Sequence, residues 1–413
     1  MKAAILSVGT ELLFGQVVNT NAAYLSKELN SMGIDVMYHY TVGDNPARLA
    51  DMIHMSFKDC DLVITTGGLG PTQDDMTKEI ACQVLGDKLV EDKKVLEELE
   101  ERLKAFGKDL VVTFNNYKQA MVPSRGVIFH NENGSAPGFA LGDPEEKKFI
   151  ICLPGPPREM TAMFKTSAAS WLEKLVDSAM VYKEIRMFGI GESELETRLL
   201  PLIDGQTDPT LATYVKNGEC SVRIASKRAT KEEASAAVAE MIEKVNGYIG
   251  DFVYSLDNEE LVQVVGRKLL EKNITISCAE SCTGGMFAAA LTDVPGISAV
   301  FDRGIVTYSN KAKMEELGVK EETLAAHGAV SEETAMEMAE GIRRVSGSDI
   351  GISVTGIAGP GGGTPEKPVG LVYIGFVYGD KKICKKIDRR ITDRSANRRH
   401  SLLTMLNIIN KEI

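Results

Sequence analysis

Apolar runs that end in glycine-rich turns alternate with helical patterns along most of the 413-residue chain. Residues 3–9 and 61–71 each have the character of a buried strand that runs into glycine, and 149–160 adds a Gly-Pro turn and a helical stretch. Between these runs, apolar residues at helical spacing over 21–32 precede Gly33, which is typical of a helix and its C-terminal cap. Strands that alternate with helices favour an α/β fold with a mainly parallel sheet.

Changes in the alternation of strand and helix patterns indicate the domain organisation. Residues 1–170 form the first alternating segment, and 171–250 contain a smaller α/β pattern with an Ala-rich amphipathic helix. Residues 251–258 are predicted to be a linker, after which the alternation of strands and helices resumes over 259–413. The length agrees with two to three domains at about 150 residues per domain.

The charge and the cysteines argue against several classes of protein. A formal net charge of −11 disfavours a molecule that coats nucleic acid or an anionic membrane. No apolar run approaches the roughly 18 residues that a membrane-spanning helix needs. The seven cysteines are scattered without a CxxC pair, which argues against a disulfide framework or a structural zinc site. We therefore expect a cytoplasmic protein.

Two segments far apart in the chain share one pattern. Asp61–Pro71 and Asp349–Pro360 both consist of an aspartate, a buried strand and a Thr-Gly turn that closes on Gly-Pro. We favour convergent turn chemistry over a true repeat, because no longer similarity accompanies the pattern. In either case, glycine-rich loops after parallel strands lie at the carboxyl edge of a sheet, where free N–H groups suit phosphate or oxyanion binding.

The sharpest local signal is TTGGLGPTQDDMT at 65–77. It contains three glycines that would let the backbone approach a ligand: Gly67, Gly68 and Gly70. Asp74 and Asp75 place two carboxylates beside this turn, and a divalent cation would remove their repulsion from phosphate oxygens. A solvated helix N-terminus, where aspartate is favoured by the helix dipole, explains the two aspartates equally well. Other polar residues could converge here, although each alone is typical of a cap or turn: Glu11, Asn19, Asn21 and Asp44.

The C-terminal half contains a second candidate, AESCTGG at 279–285. Ser281 could cap the helix that follows, and the N–H groups near Thr283, Gly284 and Gly285 could hold an anion. Cys278 and Cys282 are potential nucleophiles, but no histidine lies nearby in sequence to form a thiolate pair. We favour the interpretation that both cysteines are small buried residues at a strand end.

Another candidate set of catalytic residues lies in the segment GISAVFDRGIVTYSNKAK at 296–313. Ser298 precedes a predicted strand, Tyr308 follows it, and Lys313 lies in the first turn of a helix capped by Ser309 or Asn310. The helix dipole and burial both disfavour the protonated form of such a lysine, so that it could act as the base for a serine hydroxyl. A solvated Lys313 is the alternative.

Several motifs together resemble a known family. The segment 65–77 resembles the signature of molybdopterin-binding (MogA/MoaB-like) domains, and 7–21 resembles a loop of the related MoeA-type proteins. With LPGPPREM (153–160) and GIGESELE (189–196), the whole chain resembles the competence/damage-inducible protein A (CinA) family. The resemblance implies a three-layer N-terminal domain, a small K-homology-like middle domain and a C-terminal α/β amidohydrolase domain.

For the N-terminal domain, the resemblance implies ADP-ribose pyrophosphatase activity that depends on a divalent metal (Mg, Mn or Co) and is aided by potassium. Asp75 and Asp44 correspond to the aspartates that act around the diphosphate. From the residues themselves, we expect the metal ligands to be Asp74, Asp75 and Glu11. We expect the substrate contacts to be Gly67, Gly68, Gly70 and Asn21. Asp74 stands where the signature has arginine, which disfavours molybdopterin adenylylation.

For the C-terminal domain, the resemblance is to the PncC-type nicotinamide-nucleotide amidohydrolases, which convert nicotinamide mononucleotide to nicotinic acid mononucleotide and ammonia without a cofactor. It implies Ser298 as nucleophile, Lys313 as base and acid, and Tyr308 as a polarising or relay group. The resemblance also implies that the oxyanion and the substrate are contacted by Ser281, Thr283, Gly284 and Gly285. It implies that the ribose or the phosphate is contacted by a loop and one arginine: Thr355, Gly356, Gly359 and Arg394.

The resemblance thus implies a bifunctional hydrolase of pyridine nucleotides and a homodimer. The middle domain lacks the GxxG spacing and basic support of an RNA-binding K-homology domain, so we expect a spacer or dimerisation role there. Two other interpretations stay open. One is a regulatory protein of competence or DNA damage with inactive sites, and the other is a molybdopterin-binding N-terminal domain.

Overall fold

The computed structural model describes residues 1–106, 114–143, 145, 147–176, 179–216 and 218–413. These residues form two compact units. Unit 1 consists of Met1–Val181 with Ser226–Ala236, and unit 2 consists of Tyr182–Ala225 with Ala237–Ile413. Within the described ranges, no helix combines the length and the apolar character that crossing a membrane requires.

Unit 1 is built on a six-stranded sheet with the order β2-β1-β3-β8-β7-β6. Neighbours among β2, β1, β3 and β8 are parallel, whereas β7 and β6 add an antiparallel edge. The strands of this sheet are β1 (Lys2–Val8), β2 (Asp35–Val42), β3 (Leu62–Thr66), β6 (Val127–Phe129), β7 (Gly138–Asp143) and β8 (Lys148–Leu153). A separate antiparallel pair consists of β4 (Leu89–Glu91) and β5 (Met121–Pro123).

The central strands of this sheet are apolar on both faces, and helices cover each face. Side chains of β1 and β3 alternate between two core clusters, one packed against α2 and α7 and the other against α3 and α4. The result confirms the predicted three-layer arrangement. The helices are α1 (Thr10–Leu13), α2 (Thr20–Ser31), α3 (Pro46–Ser56), α4 (Thr77–Val84), α5 (Lys93–Phe106), α6 (Phe114–Tyr117), α7 (Pro157–Met163) and α8 (Ala169–Glu173). Two shorter turns are the 3-10 turn Lys118–Ala120 and the π-helical turn Phe164–Ala168, which joins α7 to α8.

A four-stranded sheet with the order β10-β11-β9-β12 follows in the chain. Its elements are β9 (Ala179–Met187), α9 (Glu192–Ile203), β10 (Thr210–Lys216), β11 (Glu219–Arg228), α10 (Lys231–Ile249) and β12 (Val253–Ser255). The linker predicted at 251–258 is wrong for Val253–Ser255, because these residues pair antiparallel with β9 and complete the sheet. A strand of three residues is too short for an alternating pattern to be recognised in the sequence.

The C-terminal domain has a five-stranded sheet with the order β14-β13-β15-β16-β17. Strand β13 lies parallel between β14 and β15, and β16 and β17 extend the sheet in antiparallel fashion. The strands are β13 (Ile276–Glu280), β14 (Phe301–Val306), β15 (Ile350–Gly356), β16 (Leu371–Tyr378) and β17 (Lys381–Asp388). The helices are α11 (Leu261–Lys272), α12 (Met286–Thr292), α13 (Asn310–Leu317), α14 (Glu321–His327), α15 (Glu332–Ser346) and α16 (Arg394–Glu412).

One large apolar cluster forms the core of unit 2 beneath α11 and α16. It includes Phe188, which follows β9 of the preceding sheet and is 5% exposed. The ring of Phe188 lies 5.4 Å from that of His400 on α16. Burial lowers the pKa of His400 to about 4, so that this ring is a neutral packing partner at physiological pH.

The repeated Asp-strand-turn pattern has a structural counterpart. Asp61 precedes β3 and its Oδ2 accepts a hydrogen bond of 2.9 Å from the N–H of Lys2, at the start of β1. Asp349 precedes β15 and its Oδ2 accepts from the N–H and the hydroxyl of Thr275, at 2.8 and 2.7 Å. In both sheets the aspartate therefore joins the amino ends of two adjacent parallel strands.

We expect Asp349→Asn to lower the stability of unit 2 by about 1 kcal/mol, because a neutral amide oxygen accepts more weakly than a carboxylate. Hydrogen bonds from Thr275 hold the pKa of Asp349 below its ordinary value. The stabilisation is therefore present above the ordinary pKa and is lost as the pH falls through the lowered one. Calorimetric melting of the full chain should show a difference between wild type and variant that shrinks in acid. A difference that grows in acid would contradict this role.

Candidate functional site

The carboxyl ends of β13, β14 and β15 lie at one edge of the C-terminal sheet, because the three strands are parallel. The segments that follow them begin at Ser281, Thr307 and Ile357. The first turns of α16 hydrogen-bond to the loops after β13 and β15 and to the hydroxyl of Tyr308 after β14. Four segments distant in sequence thus meet at this edge.

Lys313 is the most unusual side chain at this edge, since it is only 1% exposed. It lies on α13, which Ser309 caps by accepting a hydrogen bond of 3.0 Å from the N–H of Ala312. Its Nζ donates to Ser281 Oγ at 3.1 Å and to the carbonyl of Thr307 at 2.7 Å. Burial lowers the pKa of Lys313 below its ordinary value. A neutral amine at this position could take the proton of the Ser281 hydroxyl.

The structure does not bring Ser298, the predicted partner, to Lys313. Ser298 is exposed and lies on the 3-10 turn Ile297–Ala299, before the first residue of β14, whereas Lys313 follows the last residue of that strand. A strand of six residues spans about 20 Å, so the two side chains lie at opposite edges of the sheet. Ser281, predicted as a substrate contact, is the serine that the fold brings to the lysine.

The amides of Gly284 and Gly285 are already used within the loop. Both glycines have left-handed backbones, with φ of 60° and 90°. The N–H of Gly284 donates to the carbonyl of Ser281 at 3.1 Å, and the N–H of Gly285 donates to the buried carboxylate of Glu280 at 3.0 Å. These two amides are therefore not free for a ligand, contrary to the anion-binding role predicted for them.

Two arginines of α16 reach this loop region. Arg394 donates to the hydroxyl of Tyr308 and to the carbonyl of Gly359, both at 3.0 Å. Arg398 donates to the carbonyl of Thr283 at 2.6 Å. Tyr308 is 62% exposed, so its hydroxyl and the guanidinium of Arg394 are accessible to a small anionic molecule.

Thr355 anchors the start of the loop after β15, because its hydroxyl donates to the carbonyl of Ala329 at 2.7 Å. Gly356 ends the strand, and a Cβ on it would lie 2.6 Å from Val372 Cγ2, which leaves no room for a side chain. Thr355 is 1% exposed. These two residues thus shape the loop from within the sheet, and direct contact with ribose or phosphate stays a prediction.

Four buried polar atoms around this edge have no hydrogen-bond partner among the described residues. They are Thr283 Oγ1, Thr307 Oγ1, Asn397 Oδ1 and Arg398 Nε. Buried polar groups in native proteins are nearly always paired with protein, water or ligand. Ordered water or a bound polar molecule at this edge would supply the missing partners.

The cysteines of this region behave as structural residues, as expected. Burial raises the pKa of Cys282 to about 11, and the nearby guanidinium of Arg394 opposes this effect without cancelling it. Burial also raises the pKa of Cys278 well above its ordinary value, and the adjacent Glu280 acts in the same direction. Both are therefore thiols at neutral pH, and a thiol is a poor nucleophile.

Unit 1 has a second polar recess, at the carboxyl ends of β1, β3 and β8. Asn21, on α2, is 8% exposed and donates to Thr66 Oγ1 at 2.8 Å and to the carbonyl of Gly155 at 2.7 Å. Its Oδ1 is buried without a partner in the described part of the chain. Ser7, Glu11 and other residues line the recess around it. The side-chain oxygen of Asn21 can therefore accept a hydrogen bond from a molecule that enters the recess.

Gly67, Gly68 and Gly70, in the turn after β3, are each approached closely by another part of the same chain. A Cβ on Gly67 would lie 2.1 Å from the carbonyl oxygen of Val8, and its φ of +106° is unsuited to other residues. A Cβ on Gly68 would lie 2.1 Å from the hydroxyl of Thr77, and one on Gly70 would lie 2.5 Å from the carboxylate of Asp75. The prediction that their open space serves a ligand is therefore not supported by the geometry.

The predicted catalytic aspartates follow the two strands beside β1. Asp44 comes after β2 and accepts from the N–H and hydroxyl of Thr10, at 3.1 and 2.6 Å. Asp75 comes after β3 and accepts from the N–H and hydroxyl of Thr72. Hydrogen bonding from Thr72 also holds the pKa of the exposed Asp74 below its ordinary value.

Glu11, Asp74 and Asp75 do not form a ready-made metal site. In the residues that the structure describes, no three His, Cys, Asp or Glu side chains converge in a way that would hold a metal ion. Glu11 lines the recess around Asn21, whereas Asp75 is engaged with Thr72. Mg²⁺ is commonly held by one or two carboxylates with substrate phosphates and water, so the aspartates alone fit that mode.

Two lysines that the sequence interpretation missed support this region. Lys78 is 5% exposed and donates to the carbonyl of Lys118, and burial lowers its pKa to about 8. Lys118 donates to the carbonyls of Thr72 and Asp75 and lies 3.5 Å from Glu79. Lysine is common on surfaces, so the one sequence signal for Lys78 is its position directly after the turn motif of 65–77.

Comparison with known sequences covers nearly the whole chain. Residues 4–174 match the “Probable molybdopterin binding domain”, 182–255 the “Damage-inducible protein CinA KH domain” and 258–413 the “CinA C-terminal domain”. A competence-damage inducible protein of Clostridium perfringens is 47% identical over 413 residues, which cover 100% of this chain and 99% of its own. The chain belongs to the CinA family.

Other CinA-family relatives agree with this assignment. A competence-damage inducible protein of Acetivibrio thermocellus is 50% identical over 380 residues, 92% of this chain and 91% of its own. A solved CinA structure from Thermoplasma acidophilum is 34% identical and covers 41% of this chain and 96% of its own, with a TM-score of 0.37. The three family models and the two curated relatives confirm the predicted family and its MoaB-like, K-homology-like and CinA C-terminal domains.

Proposed function

We propose that the C-terminal domain is a Ser/Lys amidohydrolase that removes ammonia from the carboxamide of nicotinamide mononucleotide. The observation that carries this proposal is the buried hydrogen bond between Lys313 Nζ and Ser281 Oγ. A lysine with a lowered pKa beside a serine hydroxyl is an activated nucleophile of the kind used in acyl transfer. The substrate itself is proposed from the resemblance to the PncC-type enzymes.

The proposed reaction has two stages. In the first, neutral Lys313 takes the proton of Ser281, the serine oxygen attacks the carboxamide carbon, and Lys313 returns the proton to the departing nitrogen as ammonia leaves. In the second, Lys313 takes a proton from water, the hydroxide attacks the acyl-serine ester, and the proton returns to Ser281. Arg394 and Arg398 provide positive charge for the substrate phosphate at the same edge.

We expect Ser281→Ala and Lys313→Ala each to reduce kcat for ammonia release by about 10³-fold or more, because each removes one partner of the nucleophile pair. Ser298→Ala is the matched control and should retain the wild-type rate, since Ser298 lies at the opposite edge of the sheet. A coupled ammonia assay on the full chain measures all three. Loss of activity in Ser298→Ala together with an active Ser281→Ala would contradict the proposal.

The proposed base also implies a pH dependence. Protonated Lys313 cannot accept a proton, so kcat/KM should fall as the pH is lowered through the pKa of Lys313. Because burial lowers that pKa, the midpoint should lie below the ordinary lysine value of 10.5. Tyr308→Phe should keep the same midpoint even if the rate changes, which excludes the phenol as the source. A midpoint at or above 10.5 would be inconsistent with a buried lysine base.

We also propose that unit 1 hydrolyses the diphosphate of ADP-ribose. The observation that favours a nucleotide-sugar ligand is the buried, unpaired Oδ1 of Asn21 in a polar recess at the carboxyl edge of β1, β3 and β8, because an amide oxygen accepts a hydrogen bond from a ribose hydroxyl. Asp74 and Asp75 would hold a divalent metal, which would neutralise the charge of the diphosphate oxygens. Asp44 and Asp75 would orient the attacking water. Asp74, in place of the signature arginine, disfavours the molybdopterin alternative.

With Mg²⁺ or Mn²⁺ present, we expect Asp75→Asn to lower the rate of AMP formation from ADP-ribose by about 10²-fold, since a charged group at the reacting centre is removed. Asp51→Asn, an exposed aspartate on α3, is the control and should leave the rate unchanged. Chromatographic detection of AMP measures both. Equal rates for wild type and Asp75→Asn would remove Asp75 from the proposed site.

A further inference from the structure

Glu280 is a buried carboxylate directly before the candidate nucleophile. It is 1% exposed and is the last residue of β13. Its main chain is fixed on one side, where its carbonyl accepts from the N–H of Thr307 at 2.8 Å. The next residue is fixed on the other side, where the N–H of Ser281 donates to the carbonyl of Val354 at 3.0 Å.

The side chain of Glu280 turns back over the loop and accepts three backbone hydrogen bonds. Its Oε2 accepts from the N–H of Gly285 at 3.0 Å and of Phe287 at 3.2 Å, and its Oε1 accepts from the N–H of Ala288 at 2.9 Å. The N-cap residue of α12, Gly285, has no side chain to satisfy these amides. Glu280 therefore caps α12 from five residues upstream, where three charge-assisted bonds offset the cost of burying its charge.

This arrangement closes the nucleophile loop at both ends. Residues 281–284 lie between the anchored main chain of Glu280 and the amides that its side chain holds. Inside the loop, Gly284 donates to the carbonyl of Ser281. The position of Ser281 Oγ relative to Lys313 is thus set by a short loop. Its first end is held by the main chain of Glu280 and its second end by the side-chain carboxylate of the same residue.

We propose that Glu280 is a positioning residue that holds the Ser281 loop in the geometry needed for attack on the substrate. This inference rests on the proposed amidohydrolase function. It also accounts for the engagement of the Gly285 amide, one of those predicted to hold an anion, since the carboxylate accepts its hydrogen bond. Side chains at this edge, such as Arg394, offer positive charge to the anionic parts of a substrate.

Glu280→Gln is the decisive variant. Glutamine has the same shape, but its single side-chain oxygen cannot serve both acceptor positions, and its NH₂ group meets a backbone N–H donor. We expect kcat for ammonia release to fall at least about tenfold while KM changes by less than about twofold, because orientation and not binding is lost. Glu280→Asp keeps the charge but is one methylene shorter, so it should show the same kcat–KM pattern and provides a second variant if Glu280→Gln does not fold.

A second readout is independent of the natural substrate. The rate at which a fluorophosphonate labels Ser281, followed by intact-protein mass spectrometry of the full chain, reports the competence of the nucleophile loop. Labelling should slow in Glu280→Gln by a factor similar to that for kcat. Asp349→Asn is the matched control, because it weakens a carboxylate cap at the opposite edge of the same sheet. It should lower the melting temperature and leave kcat and labelling unchanged.

The outcomes separate this inference from the proposed function. If the wild type labels Ser281 but releases no ammonia from nicotinamide mononucleotide, the proposed substrate is wrong and the labelling rates still test Glu280. If wild type and folded Glu280→Gln label and turn over at equal rates, or if only KM rises, the positioning role is overturned. A wild type whose Ser281 is not labelled also overturns it, since no activated serine is then present to be positioned.

Discussion

The parallel pairing of β13 between β14 and β15 is the constraint on which the C-terminal site depends. Because the three strands point the same way, the residues that follow them meet at one edge even though they are distant in sequence. Ser281 follows β13, while Thr307 and the helix that bears Lys313 follow β14. A reversed β14 would exchange its two ends and bring the exposed Ser298 to this edge in place of Lys313.

The same edge shows how a chain with net negative charge can present positive charge locally. The buried carboxylate of Glu280 accepts hydrogen bonds from backbone amides, and burial lowers the pKa of Lys313. The guanidinium groups of Arg394 and Arg398 at this edge keep their charge in any environment. Local arrangement, rather than overall charge, therefore decides which molecules can bind.

Much of the fold could be predicted from the sequence because it depends on local patterns. Apolar runs identify β1, β3, β8 and β13, and Ser309, one of the two residues predicted to cap the helix that contains Lys313, does cap it. The partner of Lys313 could not be found in this way. Ser298 and Ser281 are both near predicted strands, and only the direction of β14 determines which serine shares an edge with the lysine.

The other differences between the predictions and the structure also arise from contacts between residues that are distant in sequence. Whether a glycine leaves space for a ligand or for the chain itself depends on residues that approach from elsewhere, such as Val8 beside Gly67. Whether an amide is free depends on a side chain that folds back over it, such as that of Glu280. The buried Lys78 and the short β12 likewise acquire their roles only through contacts distant in sequence.

The contacts of α16 have a consequence for the order in which the molecule loses structure. Arg398 and Thr283 are 115 positions apart and Arg394 and Tyr308 are 86 apart, whereas the strands of the sheet are joined by dense backbone ladders. Helix ends open far more easily than central strands. Fraying of the first turns of α16 would therefore break its hydrogen bonds to Thr283, Tyr308 and Gly359 while the sheet stays intact. Loss of these contacts is then a local melting event that precedes, and is separable from, global denaturation.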